Sequence, residues 1–213
     1  MQTDEKVAVI TEKVSSARPQ KGKMWEKWLL SDTMQGKNDS HRIAYIAIFT
    51  AFCVVSNMFE FKLAETQFSL TLFLAMITGV VIGPLFGFAA CFLGDLVGFL
   101  YNSAGFAYMP WIGLSVGLTS MIAGLIVNGL RSEKTWFLYI KLALVCLLSF
   151  TVCTVLINTT AFWILYARVD YFTYLVSRLF AQGQIWNCLV NYALLFVTVP
   201  ALTRIKPLKI NIQ

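Results

Sequence analysis

One carboxylate, Asp95, sits in the middle of an apolar run, within Gly94-Asp95-Leu96-Val97-Gly98. An acid at the centre of a membrane helix costs about 2.5–3.5 kcal/mol on insertion scales, so it normally faces protein or a water-filled cavity and has a task there. The flanking glycines are four apart, a spacing that lets helices approach closely. Cys91, Asp95, Gly98 and Asn102 recur at helical intervals and share a face. Thr151, Thr154, Asn158 and Phe162 form a second polar-to-aromatic stripe, and Gln184, Asn187, Cys188 and Asn191 a third. Converging, the three stripes would line a polar cavity. Taken singly, each Asn or Thr would serve as interhelical glue, at about 0.6 kcal/mol on average. Arg178, with Arg168 and Lys62 as candidate neighbours, offers a guanidinium fork suited to a carboxylate ligand. The alternative is an interfacial arginine that snorkels to headgroups. Trp111, Trp163 and Tyr166 suit either stacking on a flat ring or an interfacial aromatic belt.

Absences exclude much chemistry. His41 is the single histidine and precedes the first apolar run, which removes histidine-based catalysis or metal binding within the membrane. Ser120 and Ser149 have no histidine or lysine placed to activate them, so a membrane enzyme with a serine nucleophile is disfavoured and no cofactor is expected. No G-x-x-x-x-G-K-[ST] motif occurs, so this chain does not hydrolyse nucleotide by a P-loop of its own. With no chain of carboxylates to relay protons, uphill transport would draw its energy from a partner. Cys53, Cys91, Cys146, Cys153 and Cys188 all fall in apolar runs without metal spacing and read as buried small side chains.

The elements that must position these groups are membrane helices. Of 213 residues, 58% are hydrophobic and 13% charged, roughly half the usual charged share of about 25%. Each span needs roughly 20 residues to cross the hydrocarbon. Six candidates follow: Ile43–Met58, Leu70–Ile82, Leu85–Tyr101, Trp111–Leu130, Phe137–Tyr166 and Gln184–Leu202. The expected fold is an all-α membrane bundle over residues 41–213, preceded by a polar, flexible extension over residues 1–40. Fourteen of the seventeen lysines and arginines fall on the side holding both termini; Lys62, Arg168 and Arg178 fall on the other. That asymmetry puts both termini in the cytoplasm, and the +6 charge is a topology signal that requires no nucleic-acid partner. Pro84 lacks a donor and biases Gly83 away from helix, so a tight turn is expected there. The opposite-side connections are Glu60–Ser69, Asn102–Pro110 and Arg168–Leu179, and the first of these, mixing charge and aromatics, is the candidate gate.

These residues resemble the substrate-binding S component of energy-coupling factor (ECF) vitamin transporters, nearest its folate-type group, from about Ile43 to Ile205. The resemblance rests on Gly83-Pro84-x-x-Gly87, Gly94-Asp95-x-x-Gly98, Asn158-x(4)-Trp163-x-x-Tyr166 and Tyr174-Leu175-x-x-Arg178-Leu179. Ala47-x-x-x-Ala51 is similar to the family's first-helix motif, where S components contact the transmembrane T component. Gly83 and Gly87 extend that small-residue theme to a partner interface. The chain departs from the family at Tyr101-Asn102-Ser103-Ala104-Gly105 and Met109-Pro110-Trp111-Ile112-Gly113, which bears on the ligand more than on the fold.

The resemblance implies a bacterial plasma-membrane vitamin-binding subunit that captures its ligand outside. A T component and two cytoplasmic ATPases would complete the importer. For folate, the pterin would stack on Trp111, Trp163 or Tyr108 and its amino-pyrimidine edge would donate to Asp95. Arg178 or Lys62 would pair with the glutamate carboxylates, and Asn158 and Tyr166 would line the site. Pantothenate or a queuosine-like deazaguanine would keep the fold and change the cargo. A structural membrane protein would use the small-residue faces for assembly alone.

Overall fold

In hydrocarbon, a chain satisfies its own backbone polar groups, and long apolar runs therefore become helices. The computed structural model describes residues 30–31, 33–35, 37–58, 61–63, 66–101, 108–130 and 135–203, with backbone alone at 61–63, 66–68 and 135. Its helices are α1 (Asp39–Met58), α2 (Thr71–Ile82), α3 (Pro84–Tyr101), α4 (Pro110–Gly129) and α5 (Thr135–Leu148). α5 runs on through a π-helical stretch (Ser149–Thr159) into α6 (Thr160–Tyr166). α7 (Tyr171–Val176) continues into a π-helical turn (Ser177–Ala181), and α8 (Gln184–Leu202) follows. Among the described residues, five helical segments are long and apolar enough to cross a membrane, Trp136–Tyr166 among them; α2 is a shorter sixth. The all-α membrane bundle expected from the sequence stands.

Two connections differ from simple loops. Between α1 and α2 lies an antiparallel ribbon, β1 (Phe61–Leu63) and β2 (Thr66–Phe68), with Lys62 opposite Gln67. Between α6 and α8, the expected loop Arg168–Leu179 is largely helical, because Asp170 caps α7 by accepting from the Thr173 amide at 3.0 Å.

The first four helices meet backbone to backbone. Gly83 alone joins α2 to α3; its φ of 97° is a conformation that glycine adopts without steric cost. Pro84 and Pro110 open α3 and α4, where the missing N–H costs nothing. A Cβ on Gly79 would strike the Ser120 carbonyl of α4, and one on Gly124 would lie 2.7 Å from both Gly79 O and Pro84 N. Gly87 is buried against Gly79 and Ser120, and Gly83 is buried in the turn. Both are enclosed by the chain's own helices, which corrects their expected place on a partner surface. Ala47 and Ala51 stay exposed on α1.

At the end of the bundle holding the α2–α3 turn, Met76, Val80, Ile82, Leu142, Leu195 and Val199 build the main core. Met34 belongs to it and is fully buried. Ser31 Oγ donates to Val81 O at 2.6 Å and Asn128 Nδ2 to Val80 O at 3.2 Å, satisfying carbonyls that the last turn of α2 leaves open. The described residues just ahead of α1 are thus packed into the bundle, where the sequence reading expects a flexible extension.

Candidate functional site

The predicted site residues gather at the opposite, ribbon-bearing end, in two groups. In the first, Asp95 on α3 meets Tyr108, whose hydroxyl donates to Oδ2 at a long 3.4 Å. Phe99 packs on the Tyr108 ring at 5.1 Å between centroids. Gly113 on α4 makes the room: a Cβ there would lie 2.6 Å from the Tyr108 hydroxyl and 3.0 Å from the Asp95 carboxylate. Burial, reinforced by the Asp95 charge, raises the Tyr108 hydroxyl above its ordinary pKa, so it remains a donor.

The second group centres on Arg178, in the π-helical turn. Its Nη1 donates to Asn158 O at 3.4 Å and its guanidinium lies 4.3 Å from the Phe162 ring centroid, a cation–π contact. Tyr174 and Cys188 flank it. Burial lowers its pKa from the ordinary value, but a guanidinium starts so high that it stays charged. Arg178 Nε and Asn158 Oδ1 are both buried with no hydrogen-bond partner among the described residues. Such unpaired buried atoms each carry a desolvation penalty that a ligand can relieve.

Between the groups stands α4. Gly113 faces Asp95 and Tyr108, while Ser115, two residues on, donates to Cys153 O of the π-helical stretch at 3.3 Å. The first turns of α4 therefore separate the acid from the arginine.

Several predicted residues have other duties. Trp163 donates to Val169 O at 2.9 Å and meets Tyr171 edge-on at 5.6 Å, which holds the α6–α7 corner. Tyr166 packs on Phe162 but is 56% exposed, and Trp111 is 46% exposed, both as belt residues would be. The Lys62 side chain and Asn102 lie outside what is described.

The stripes dissolve on inspection. Cys91 packs on Cys53 of α1, with sulfurs 3.7 Å apart, and Gly98 packs on Asn57, so among the described residues of its stripe only Asp95 turns to the site. In the π-helical stretch, i→i+5 bonding changes the angle between successive side chains. Thr151 is exposed, Thr154 is buried, and Thr159 Oγ1 donates five residues back to Thr154 O at 2.8 Å. Asn187 and Asn191 are taken up by the backbone at Ser69 and Phe73. Phe99, Gly113 and Tyr171 are the contributors that sequence reasoning missed. Tyr171 Oη donates to Val155 O at 3.2 Å, in the π-helical stretch. Gly113 had a visible signal, a glycine one turn into a helix beside a lone acid.

Fold and site together define a multi-pass membrane bundle with charged and aromatic residues gathered at one end. Residues 37–207 match the family model described as the ECF-type riboflavin transporter, S component, and the chain belongs to that family. It is a family of transporter subunits, not of enzymes, and the S-component resemblance drawn from the motifs holds. Among solved structures, the chain is similar to FolT bound with folic acid, at 23% identity, covering 72% of this chain and 89% of that one with a TM-score of 0.57. That likeness establishes the shared fold. No curated protein matches the sequence.

Proposed function

We propose that this chain is the vitamin-capturing subunit of an ECF-type importer and that its ligand is folate. The observation that carries the ligand reading is the Arg178–Asn158 pair, where the guanidinium Nε and the amide Oδ1 are both buried without a hydrogen-bond partner among the described residues. A carboxylate of the glutamate tail satisfies Nε, and a ligand N–H satisfies Asn158 Oδ1. Asp95, held by Tyr108 at the other side of α4, suits the paired donors of the pterin's amino-pyrimidine edge. Phe162 beside Arg178 and Phe99 and Tyr108 beside Asp95 supply the ring surfaces, and Lys62, at the middle of β1, suits a second carboxylate. Capture falls on the extracellular side by the lysine and arginine asymmetry. The exposed Ala47/Ala51 face of α1 meets the T component, and two ATPase subunits supply the energy this chain lacks the motif to provide.

Riboflavin is the second reading, favoured by the family's description. Its isoalloxazine shares a fused pyrimidine with the pterin, but its tail is a neutral ribityl chain that leaves the guanidinium uncompensated. Titration of the detergent-purified chain with each vitamin, followed by tryptophan fluorescence and by the flavin's own emission, separates the two. Saturable quenching by nanomolar folate, weakened by Asp95→Asn and by Arg178→Ala, supports the first reading. Quenching of flavin emission, indifferent to Arg178→Ala, replaces it with the second.

A further inference from the structure

The π-helical stretch Ser149–Thr159 runs for 11 residues, whereas such winding is mostly confined to a single turn and is frequent at functional sites. Its carbonyls accept from side chains as well as from helical N–H groups, through the second lone pair of each oxygen. Ser115 Oγ of α4 donates to Cys153 O at 3.3 Å, and Thr159 Oγ1 to Thr154 O at 2.8 Å. From α7, Tyr171 Oη donates to Val155 O at 3.2 Å, and Thr160 Oγ1 donates to that hydroxyl at 3.5 Å. Arg178 Nη1 joins them at Asn158 O. Tyr171 and Arg178 are separated by about two helical turns, so they leave α7 and its π-helical extension close to one face. Both reach the same stretch, yet their bonds differ. The Arg178 bond is long, at 3.4 Å, and its Nε has no partner among the described residues. The Tyr171 bond is shorter and leaves the guanidinium untouched. One bond seats the helix; the other holds the guanidinium loosely.

We propose that Tyr171 is a positioning residue, whose hydroxyl seats α7 on the π-helical stretch and so sets where Arg178 Nε stands relative to Asn158 Oδ1, the pair that takes the anionic end of the ligand. Ser115 and Thr159 hold the stretch without help from α7. Loss of the Tyr171 hydroxyl therefore displaces the arginine and leaves the asparagine in place. The binding half of this inference rests on the function proposed above; the seating half does not.

Tyr171→Phe tests it on the full chain in detergent, because it removes the hydroxyl and keeps the ring against Trp163. Without ligand, hydrogen exchange at the amides of residues 171–181 should speed about tenfold in this variant, while residues 149–159 keep their wild-type protection. Stopped-flow fluorescence should show the folate off-rate rising about tenfold, with the on-rate within about twofold. A pterin without its glutamate should leave at nearly the wild-type rate. A double-mutant cycle separates positioning from general loosening: in an Arg178→Ala background, Tyr171→Phe should change folate release by less than about twofold. Unchanged exchange at 171–181 overturns the seat, and so does equal loosening of 149–159. Faster exchange with an unchanged folate off-rate, or additive losses in the cycle, overturns the action through Arg178. If the wild-type chain binds neither folate nor riboflavin, the function proposed above fails, and the exchange measurement still decides the seat.

Discussion

The two halves of this bundle are held together by different means. From α1 to α4, helices touch through glycine: Gly79 under Ser120, Gly124 against Gly79 and Pro84, Gly94 and Gly98 against Cys53 and Asn57. From α5 to α8, contacts run through long side chains and two π-helical segments. Backbone contact leaves nothing to rearrange, whereas rotamers and loosely wound turns can adjust to a guest. The first half is a frame that carries Asp95 and Tyr108 at one end, and the second holds Arg178 and Asn158 in its more loosely wound part.

Substitutions should expose that contrast. The largest effect is expected in the frame. Gly124→Val puts side-chain atoms against the Gly79 carbonyl and the Pro84 nitrogen, neither of which can step aside, and should cost about 3 kcal/mol or more. Size-exclusion profiles and thermal unfolding in detergent would read this as loss of the monodisperse peak; a wild-type profile would break the comparison. In the second half, Arg178→Ala should leave the fold intact and weaken folate by roughly 10- to 100-fold, as loss of a charge-assisted bond does. A pterin without its glutamate should lose much less, and equal losses for both compounds would contradict pairing with the tail.

Smaller effects sharpen the picture. Gly183, which starts α8 with φ of 68°, should cost about 1–2 kcal/mol when replaced by alanine, since an ordinary residue is strained there. Thermal unfolding reports it, and the shift should be well below that of Gly124→Val. The smallest effect concerns Asp170, whose pKa is lowered by the Thr173 backbone amide and then by the Thr173 hydroxyl. A depressed carboxylate contributes fully above its unfolded value, and the contribution fades as pH falls through the folded one. A spin label at the exposed Phe172 should therefore stay ordered from neutral pH down through the ordinary carboxylate range and loosen only below it. In Asp170→Ala it should be mobile at every pH.

Much of the frame was legible. Apolar runs near 20 residues and the Gly83-Pro84 break locate every span within a few residues, because hydrocarbon permits few alternatives. The short α2 was visible as the short run Leu70–Ile82. The ribbon was not, since Ala64-Glu65 lacks the Asn-Gly or Asp-Gly signal of a tight hairpin. Nor was the π-helical winding at Ser149–Thr159, where spacing arguments assume 3.6 residues per turn and place Thr151 beside Thr154. At the site, Asp95 and Arg178 stood out because charge in a membrane is rare. Asn187 and Asn191 could not be assigned to ligand or backbone, because an amide suits either partner and only where α2 begins decides.

Met34 sets a boundary for anyone who shortens this protein. Its side chain fills the floor of the bundle, its carbonyl takes Arg42 Nε at 3.3 Å, and Ser31 is tied to Val81. Trimming that stops before Leu30 spares this stopper. Trimming past Met34 pulls the cork, opening the core cluster it shares with Val80, Val81 and Val127 and cutting the mooring at the foot of α1. α1 is also the helix whose exposed alanine face we propose for the T component, so such a truncation would masquerade as a docking defect while that face itself was intact.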